Sequence, residues 1–179
     1  VAICGNAYKS FIKRKANKII HYSNEALGLG KPWEILVDYA KQNNADELII
    51  VDGDDQHFFN EIKRIYNAKA SLVIPQREKR FVFMGDKEVH GITLQDLENA
   101  FIRHKHKTKI NDLQPGLFII KDKSIIKNLD FSNKDSWVGD YLFLDQILDK
   151  NITIDLPMIR VRPQTATISS RKLVFTAIN

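Results

Sequence analysis

The sequence lacks the features of disulfide-rich, membrane-spanning and repeat proteins. Its single cysteine, Cys4, excludes an internal disulfide and is typical of a reducing, cytoplasmic compartment. No apolar run in these 179 residues approaches the roughly 20 that a membrane-spanning helix needs. Internal repeats, low-complexity tracts and Gly/Ser-rich linkers are also absent from the sequence. A single domain over residues 1–179 is therefore the simplest expectation.

The composition allows a core and an anionic partner. The chain is 44% hydrophobic, and it carries a net charge of +5. This mildly basic balance suits a nucleotide diphosphate, a nucleic acid or an anionic membrane surface, and charge alone does not choose among them. The chain begins without methionine in the apolar run Val1-Ala2-Ile3, so we expect that a segment precedes it.

The first half of the chain alternates strand-like and helix-like segments, which predicts an α/β domain with a largely parallel sheet. Four short β-rich runs are separated by segments in which apolar residues recur every three or four positions. The predicted strands are 1–3, 19–22, 48–51 and 72–74, and the predicted helices are 7–15, 32–42 and 58–66.

The second half is less regular. We predict helices over Ile92–His104 and Tyr141–Leu148, and a strand over Leu117–Ile120. A further strand over Ile152–Val161 is interrupted by Pro157, which indicates an edge strand.

An acidic cluster follows the continuously apolar strand Leu48–Val51, which we expect to be covered on both faces. Ligands bind at the carboxyl ends of strands in open α/β sheets, so the position of Asp52 and Asp54 favours a site. Two carboxylates one residue apart, with Gly53 between them and Gln56 beyond, offer oxygen ligands to Mg²⁺ or Mn²⁺. The alternative is a solvated turn, for which Asp and Gly are equally suited.

The order of these segments resembles the family 2 glycosyltransferases, and most closely their dolichol-phosphate mannose synthase branch. The segment Asp52-Gly53-Asp54-Asp55-Gln56-His57 matches the family's Asp-Ala-Asp-Leu-Gln-His at four of six positions. Weaker matches follow in the right order at 72–77, 112–118, 154–162 and 170–173, so the resemblance covers nearly the whole chain. The family's first strand is missing here, and Cys4-Gly5-Asn6 stands where an aspartate usually holds the base.

The resemblance implies a fold, an activity and a set of site residues. The fold would be the three-layer α/β/α A-type glycosyltransferase fold, whose sheet is mostly parallel. The activity would be metal-dependent, inverting transfer of a hexose from a GDP- or UDP-sugar. The implied metal ligands are Asp52, Asp54 and Gln56, the implied donor-phosphate contacts are Asp52, Arg77, Arg162, Arg171 and Lys172, and the candidates for the catalytic base are Asp140 and Asp145.

The acceptor and the reaction class stay open at this point. The acceptor would be a polyprenyl phosphate, which needs no general base, or a hydroxyl compound, which needs a carboxylate to take its proton. The basic run Arg103–Lys107 would give peripheral contact with an anionic membrane or is only a solvated face. The alternatives to a glycosyltransferase are a sugar-phosphate nucleotidyltransferase and a non-catalytic nucleotide-binding module. Nucleic acid is not expected as a partner, because the interleaved aromatic and basic residues of the known modules are missing.

Overall fold

The computed structural model describes residues 2–4, 19–21, 30–52, 56–80, 83–84, 87–88, 94–132 and 139–163. The helix predicted over 7–15 lies outside these residues. The described helices are α1 (Gly30–Gln42), α2 (Phe59–Tyr66), α3 (Leu94–His106), α4 (Lys123–Asn128) and α5 (Gly139–Ile147). The described strands are β1 (Ala2–Cys4), β2 (Ile19–His21), β3 (Leu48–Val51), β4 (Leu72–Val73), β5 (Gln76–Arg77), β6 (Phe83–Met84), β7 (Lys87–Glu88), β8 (Leu117–Ile120), β9 (Ile154–Asp155) and β10 (Met158–Ile159).

The largest described sheet has four strands in the order β3-β8-β4-β9. β8 runs antiparallel to both of its neighbours, and β4 runs parallel to β9. Three strands therefore point in one direction and β8 opposes them. The α/β class predicted from the sequence is confirmed. The predicted mostly parallel sheet is not, because two of the three pairings in this sheet are antiparallel.

Apolar side chains pack on both faces of this sheet. Alternation along β8 sends Phe118 and Ile120 into one cluster and Leu117 and Ile119 into another, and all four are fully buried. The first cluster draws on α1, α3, α4 and α5, and the second draws on α2 and β10. Helices thus cover the sheet on both sides.

The prediction that β3 is covered on both faces is wrong. Leu48 and Ile50 are buried, but Ile49 and Val51 are 39% and 42% exposed. In the four-stranded sheet β3 is an edge strand, and the second cluster does not extend to it. The prediction failed because a continuous apolar run occurs in strands covered on one face as well as in strands covered on both.

Pro157 divides the strand predicted over 152–161 into two. β9 precedes this proline and forms the edge of the four-stranded sheet beside β4, as the proline indicated. β10 follows it and pairs in parallel with β5 instead. Within the described residues, no helix combines the length and the apolar character needed to cross a membrane.

Candidate functional site

The candidate site lies where β3, β4 and β9 end and β8 begins. Asp52 directly follows β3, and its backbone N–H donates to the carbonyl oxygen of Gly116, 2.8 Å away, just before β8. The antiparallel pairing of Val51 with Leu117 holds Asp52 opposite Gly116. The predicted position of Asp52 at a strand's carboxyl end is confirmed.

Gly116 makes room for the acidic side chain. Its φ of 67° lies in the left-handed region, and a β-carbon there would come within 2.7 Å of Asp52 Oδ2 and 3.3 Å of His57 Nε2. Any larger residue would be strained and would displace the carboxylate. The Asp52 carboxylate and the His57 ring therefore both lie against the α-carbon of Gly116.

Gln56 and His57 are held by the chain segment after β10. His57 forms an isolated antiparallel bridge with Val161, and the Arg162 N–H donates to the Gln56 carbonyl at 2.8 Å. Both Gln56 and His57 are buried. The Arg162 guanidinium carbon lies 4.4 Å from the centre of the Phe58 ring, as in a cation-π contact. The structure thus brings Arg162 next to Gln56 and Phe58, and its expected contact with the donor phosphate stays a prediction.

Arg77 forms a buried ion pair. Its Nε donates to Asp112 Oδ2 at 2.6 Å and its Nη2 to Asp112 Oδ1 at 3.0 Å, and Nη2 also donates to the Gln114 carbonyl at 2.8 Å. The Arg77 and Asp112 side chains are only 8% and 7% exposed. Gln76 fixes the same loop, because its side chain accepts from the Asp112 N–H at 2.8 Å and donates to the Asp112 carbonyl at 3.0 Å. The expected donor-phosphate contact of Arg77 stays a prediction, and its present partner is Asp112.

Asp140 lies in the first turn of α5, which packs against Trp33. A β-carbon on Gly139 would come 2.5 Å from Trp33 Cδ1, so glycine is what allows this approach. Asp140 is buried, and burial first, then the negative charge of Asp52, hold its pKa well above the usual range. Asp112 and Glu98 add to the rise, and the Arg77 guanidinium opposes it. The Asp140 carboxyl therefore binds its proton more tightly than an ordinary aspartate, and the charge of Asp52 contributes to this.

Asp145 is differently placed, although it is on the same helix. Its carboxylate bonds to Lys105, and its Oδ1 lies 3.1 Å from His106 Nε2. Burial alone would raise the pKa of Asp145, but the hydrogen bonds and charges of Lys105 and His106 lower it. Of the two carboxylates expected as base, Asp140 is thus the one whose pKa is raised by the charge of Asp52.

The basic run Arg103–Lys107 has partners within the protein. Besides Lys105 and His106, which bond to Asp145, Arg103 donates to the Asn111 carbonyl at 2.9 Å. His106 Nδ1 is also 2.9 Å from Asp149 Oδ1. Membrane contact by this run stays a prediction.

The predicted divalent-cation site stays a prediction, because the structure describes only part of the expected ligand set. Asp52 and Gln56 supply carboxylate and amide oxygens, and a cation would relieve the repulsion between the carboxylates of Asp52 and Asp140. Asp54, Arg171 and Lys172 lie outside the described residues. Among those described, no group of three or more His, Cys, Asp or Glu side chains is arranged to hold a metal ion.

A cavity of about 450 Å³ opens beside the segment that holds His57. Phe58 and Val161 line it together with Arg160 and Lys79, which the sequence did not single out. Arg160 is held by Glu61, with Nη2 3.3 Å from Oε1. The cavity is thus a recess next to the acidic segment that is lined by both apolar and charged side chains.

Sequence reasoning missed two further buried polar residues, Glu98 and Asn99 on α3. Glu98 accepts from Gln114 Nε2 at 3.0 Å, and burial raises the pKa of Glu98 while this hydrogen bond opposes the rise. Apolar spacing could not reveal them, because Leu97 and Phe101 dominate the pattern of this helix.

Comparison with protein-family models, with curated proteins and with solved structures finds no match to this chain. The site geometry is therefore the basis for a functional conclusion.

Proposed function

We propose that the chain is a metal-dependent inverting glycosyltransferase of the A-type fold, which moves a hexose from a GDP- or UDP-sugar to an acceptor. The observation that carries this proposal is the position of Asp52 at the edge where three strands end, with its carboxylate against Gly116 and its charge raising the pKa of the buried Asp140. This edge is where α/β sheets bind their ligands. The resemblance of the segment 52–57 to the family's acidic motif supports the same reading.

The residues divide into a donor side and an acceptor side. Asp52, Asp54 and Gln56 would hold Mg²⁺ or Mn²⁺, and a cation there supplies charge neutralisation for the diphosphate as it leaves. Arg162, whose backbone N–H donates to the Gln56 carbonyl, would contact the same phosphates. Asp140 would act on the acceptor.

Asp140 is our choice for the general base. In a single displacement an acceptor oxygen attacks the anomeric carbon while the nucleoside diphosphate departs, and a hydroxyl acceptor must lose its proton. A base works best when its pKa is near the working pH, and burial together with Asp52 raises the pKa of Asp140 in that direction. Asp145, whose pKa is lowered by Lys105 and His106 against the effect of burial, is a weaker base. With a polyprenyl phosphate as acceptor no base is required, and Arg103–Lys107 would then contact an anionic membrane.

Calorimetry of UDP and GDP in the presence of Mn²⁺ tests the donor side. We expect Asp52→Asn to weaken nucleotide binding at least about 10-fold, because it removes a charged ligand oxygen while preserving the shape of the side chain. The control is Asp46→Asn, at the opposite end of β3, where the carboxylate is 83% exposed and pairs with Lys123. Equal affinity in the wild type and Asp52→Asn would contradict the donor site.

Gly116→Ala provides an independent test of the same geometry. We expect this variant to lose nucleotide binding in Mn²⁺, because the added methyl group meets Asp52 Oδ2 at 2.7 Å. It should also lower the melting temperature, since a left-handed alanine costs about 1–2 kcal/mol. Asn44→Ala, at a φ of 51° after α1, imposes backbone strain without touching the site. If Gly116→Ala bound nucleotide as tightly as the wild type and the Asn44→Ala control, the placement of the nucleotide at Asp52 and Gly116 would be refuted.

A further inference from the structure

Helix α3 buries two polar side chains and exposes two large apolar ones. Leu97 and Phe101 are 58% and 47% exposed, whereas Glu98 is 8% and Asn99 only 1% exposed. Burying polar groups costs free energy unless they are hydrogen-bonded, and exposing large apolar side chains forfeits stability that burial would give. Stability alone therefore does not explain this arrangement, and such violations concentrate at functional sites.

Three buried polar atoms of α3 have no hydrogen-bond partner among the described residues. In the described part of the chain, neither Nδ2 nor Oδ1 of Asn99 has a partner, and the same holds for Glu98 Oε1. A primary amide offers two donors and two acceptor lone pairs, so Asn99 leaves its entire capacity unused. Because buried polar groups in native proteins are nearly always paired, a polar ligand is a direct explanation for these three atoms.

These atoms connect to the loop that carries Gly116. Glu98 Oε2 accepts from Gln114 Nε2 at 3.0 Å, and the carbonyl of Gln114 accepts from Arg77. Gly116, two residues after Gln114, lies against the Asp52 carboxylate. The unused hydrogen-bonding groups are therefore linked by hydrogen bonds to the loop that borders Asp52.

We propose that Glu98 and Asn99 bind hydroxyl groups of a carbohydrate acceptor. This inference rests on the proposed glycosyltransferase function and selects one of its two acceptor classes. Sugar hydroxyls both donate and accept hydrogen bonds, as an amide and a carboxyl group require of a partner.

A phosphate acceptor fits these residues less well. Its oxygens at neutral pH mainly accept hydrogen bonds, and it would bring negative charge towards the carboxyls of Glu98, Asp112 and Asp140. The guanidinium of Arg77 is already engaged by Asp112, and that of Arg80 pairs with Asp96, while Arg80 Nη1 has no hydrogen-bond partner among the described residues. The three carboxyls favour a neutral acceptor, and an isoprenyl phosphate tests whether Arg80 binds an anion instead.

Ligand binding and melting temperature, measured together, test this subsite. The probes are N-acetylglucosamine, methyl α-mannoside and methyl β-galactoside, each titrated in the presence of Mn²⁺ with UDP or GDP, and a short isoprenyl phosphate. We expect the wild type to bind at least one of the sugars, and Asn99→Leu and Glu98→Gln to weaken that binding about 10-fold or more. Nucleotide binding should be unchanged in both variants.

Asn99→Leu should also melt about 2–4 °C higher than the wild type, because it removes a buried amide without partners. The matched control is Asn128→Leu, where the replaced amide is exposed and already donates to the Ser124 carbonyl at 2.8 Å. This control should leave sugar binding unaltered.

The outcomes separate the subsite from the proposed function. Nucleotide binding without sugar binding, or binding of the isoprenyl phosphate alone, overturns the subsite and leaves the glycosyltransferase proposal intact. Sugar binding that depends on Asn99 in the absence of nucleotide binding supports the subsite and overturns the donor site. A lower melting temperature of Asn99→Leu with unaltered sugar binding would assign Asn99 to structure alone, and failure of both ligands to bind overturns both proposals.

Discussion

Replacing Arg77 by methionine is expected to lower the free energy of unfolding by about 3–5 kcal/mol, because it leaves the Asp112 carboxylate buried without its cation. Three hydrogen bonds from the guanidinium are lost, two to the Asp112 carboxylate and one to the Gln114 carbonyl. Denaturant unfolding followed by circular dichroism measures the effect. Arg77→Lys should lower the free energy of unfolding by a smaller amount, since an ammonium group keeps the charge but cannot reproduce the two-pronged geometry.

The matched control for this prediction is Arg64→Met. Arg64 also pairs with a carboxylate, that of Glu61 at 2.7 Å, but its side chain is 54% exposed. The Glu61 side chain is only 12% exposed, but it keeps Arg160 as a second cation, so Arg64→Met should lower stability clearly less than Arg77→Met does. The double variant Arg77→Met, Asp112→Leu should recover much of the loss, because no buried charge is then left unpaired.

The same experiment decides between the two roles of Arg77. The resemblance implied contact with the donor phosphate, in which case removing Arg77 would lower turnover at nearly constant stability. The ion pair with Asp112 predicts a large loss of stability instead. Stability of Arg77→Met within about 1 kcal/mol of the wild type would contradict the structural role.

The sequence predicted the parts of the fold that depend on short-range pattern. The runs at Leu48–Val51 and Leu117–Ile120 form strands at those residues, and apolar spacing located α1, α2, α3 and α5 to within two residues at each end. The sequence did not predict strand direction. A continuous apolar run has the same pattern in either direction, so nothing in Leu117–Ile120 indicated that β8 opposes its neighbours.

Long-range pairing explains the rest of what the sequence left open. Arg77 and Asp112 are 35 residues apart, and neither carries a local signal of its partner. Asp140 and Asp145 are indistinguishable in sequence terms, since both are acidic residues in α5. Their difference arises from other elements: Asp52 after β3 acts on one, and Lys105 and His106 at the end of α3 bind the other.

Asp140→Asn is expected to have the largest effect on turnover, a loss of about 10²–10⁴-fold if Asp140 is the general base. It should at the same time make the protein more stable at pH 7. Burial and the neighbouring charge of Asp52 raise the pKa of Asp140 in the folded protein, whereas in the unfolded chain it stays near the ordinary value of about 3.9. At neutral pH the carboxylate is therefore less favourable in the folded than in the unfolded state.

The sign of the pH dependence follows from proton binding. Between the ordinary pKa and the raised folded pKa of Asp140, the folded state binds more protons, so stability falls as the pH rises. Below that interval the carboxyl is neutral in both states and costs nothing. Asparagine cannot ionise, so the stability advantage of Asp140→Asn should be small near pH 3 and grow as the pH rises through the interval. Unfolding at a series of pH values in chelator-treated buffer measures this difference without a contribution from bound metal.

Asp145→Asn, on the same helix, should change stability in the opposite direction. Although burial alone would raise it, Lys105 and His106 lower the pKa of Asp145, so its carboxylate is stabilised by folding and asparagine loses that contribution above the ordinary pKa. Its melting temperature should fall at pH 7 while turnover stays near that of the wild type. If Asp145→Asn lost activity and Asp140→Asn kept it, the base would be Asp145. If Asp140→Asn were instead less stable than the wild type at neutral pH, the carboxylate of Asp140 would be stabilised by folding. The raised pKa of Asp140, which supports the proposed function, would then be refuted.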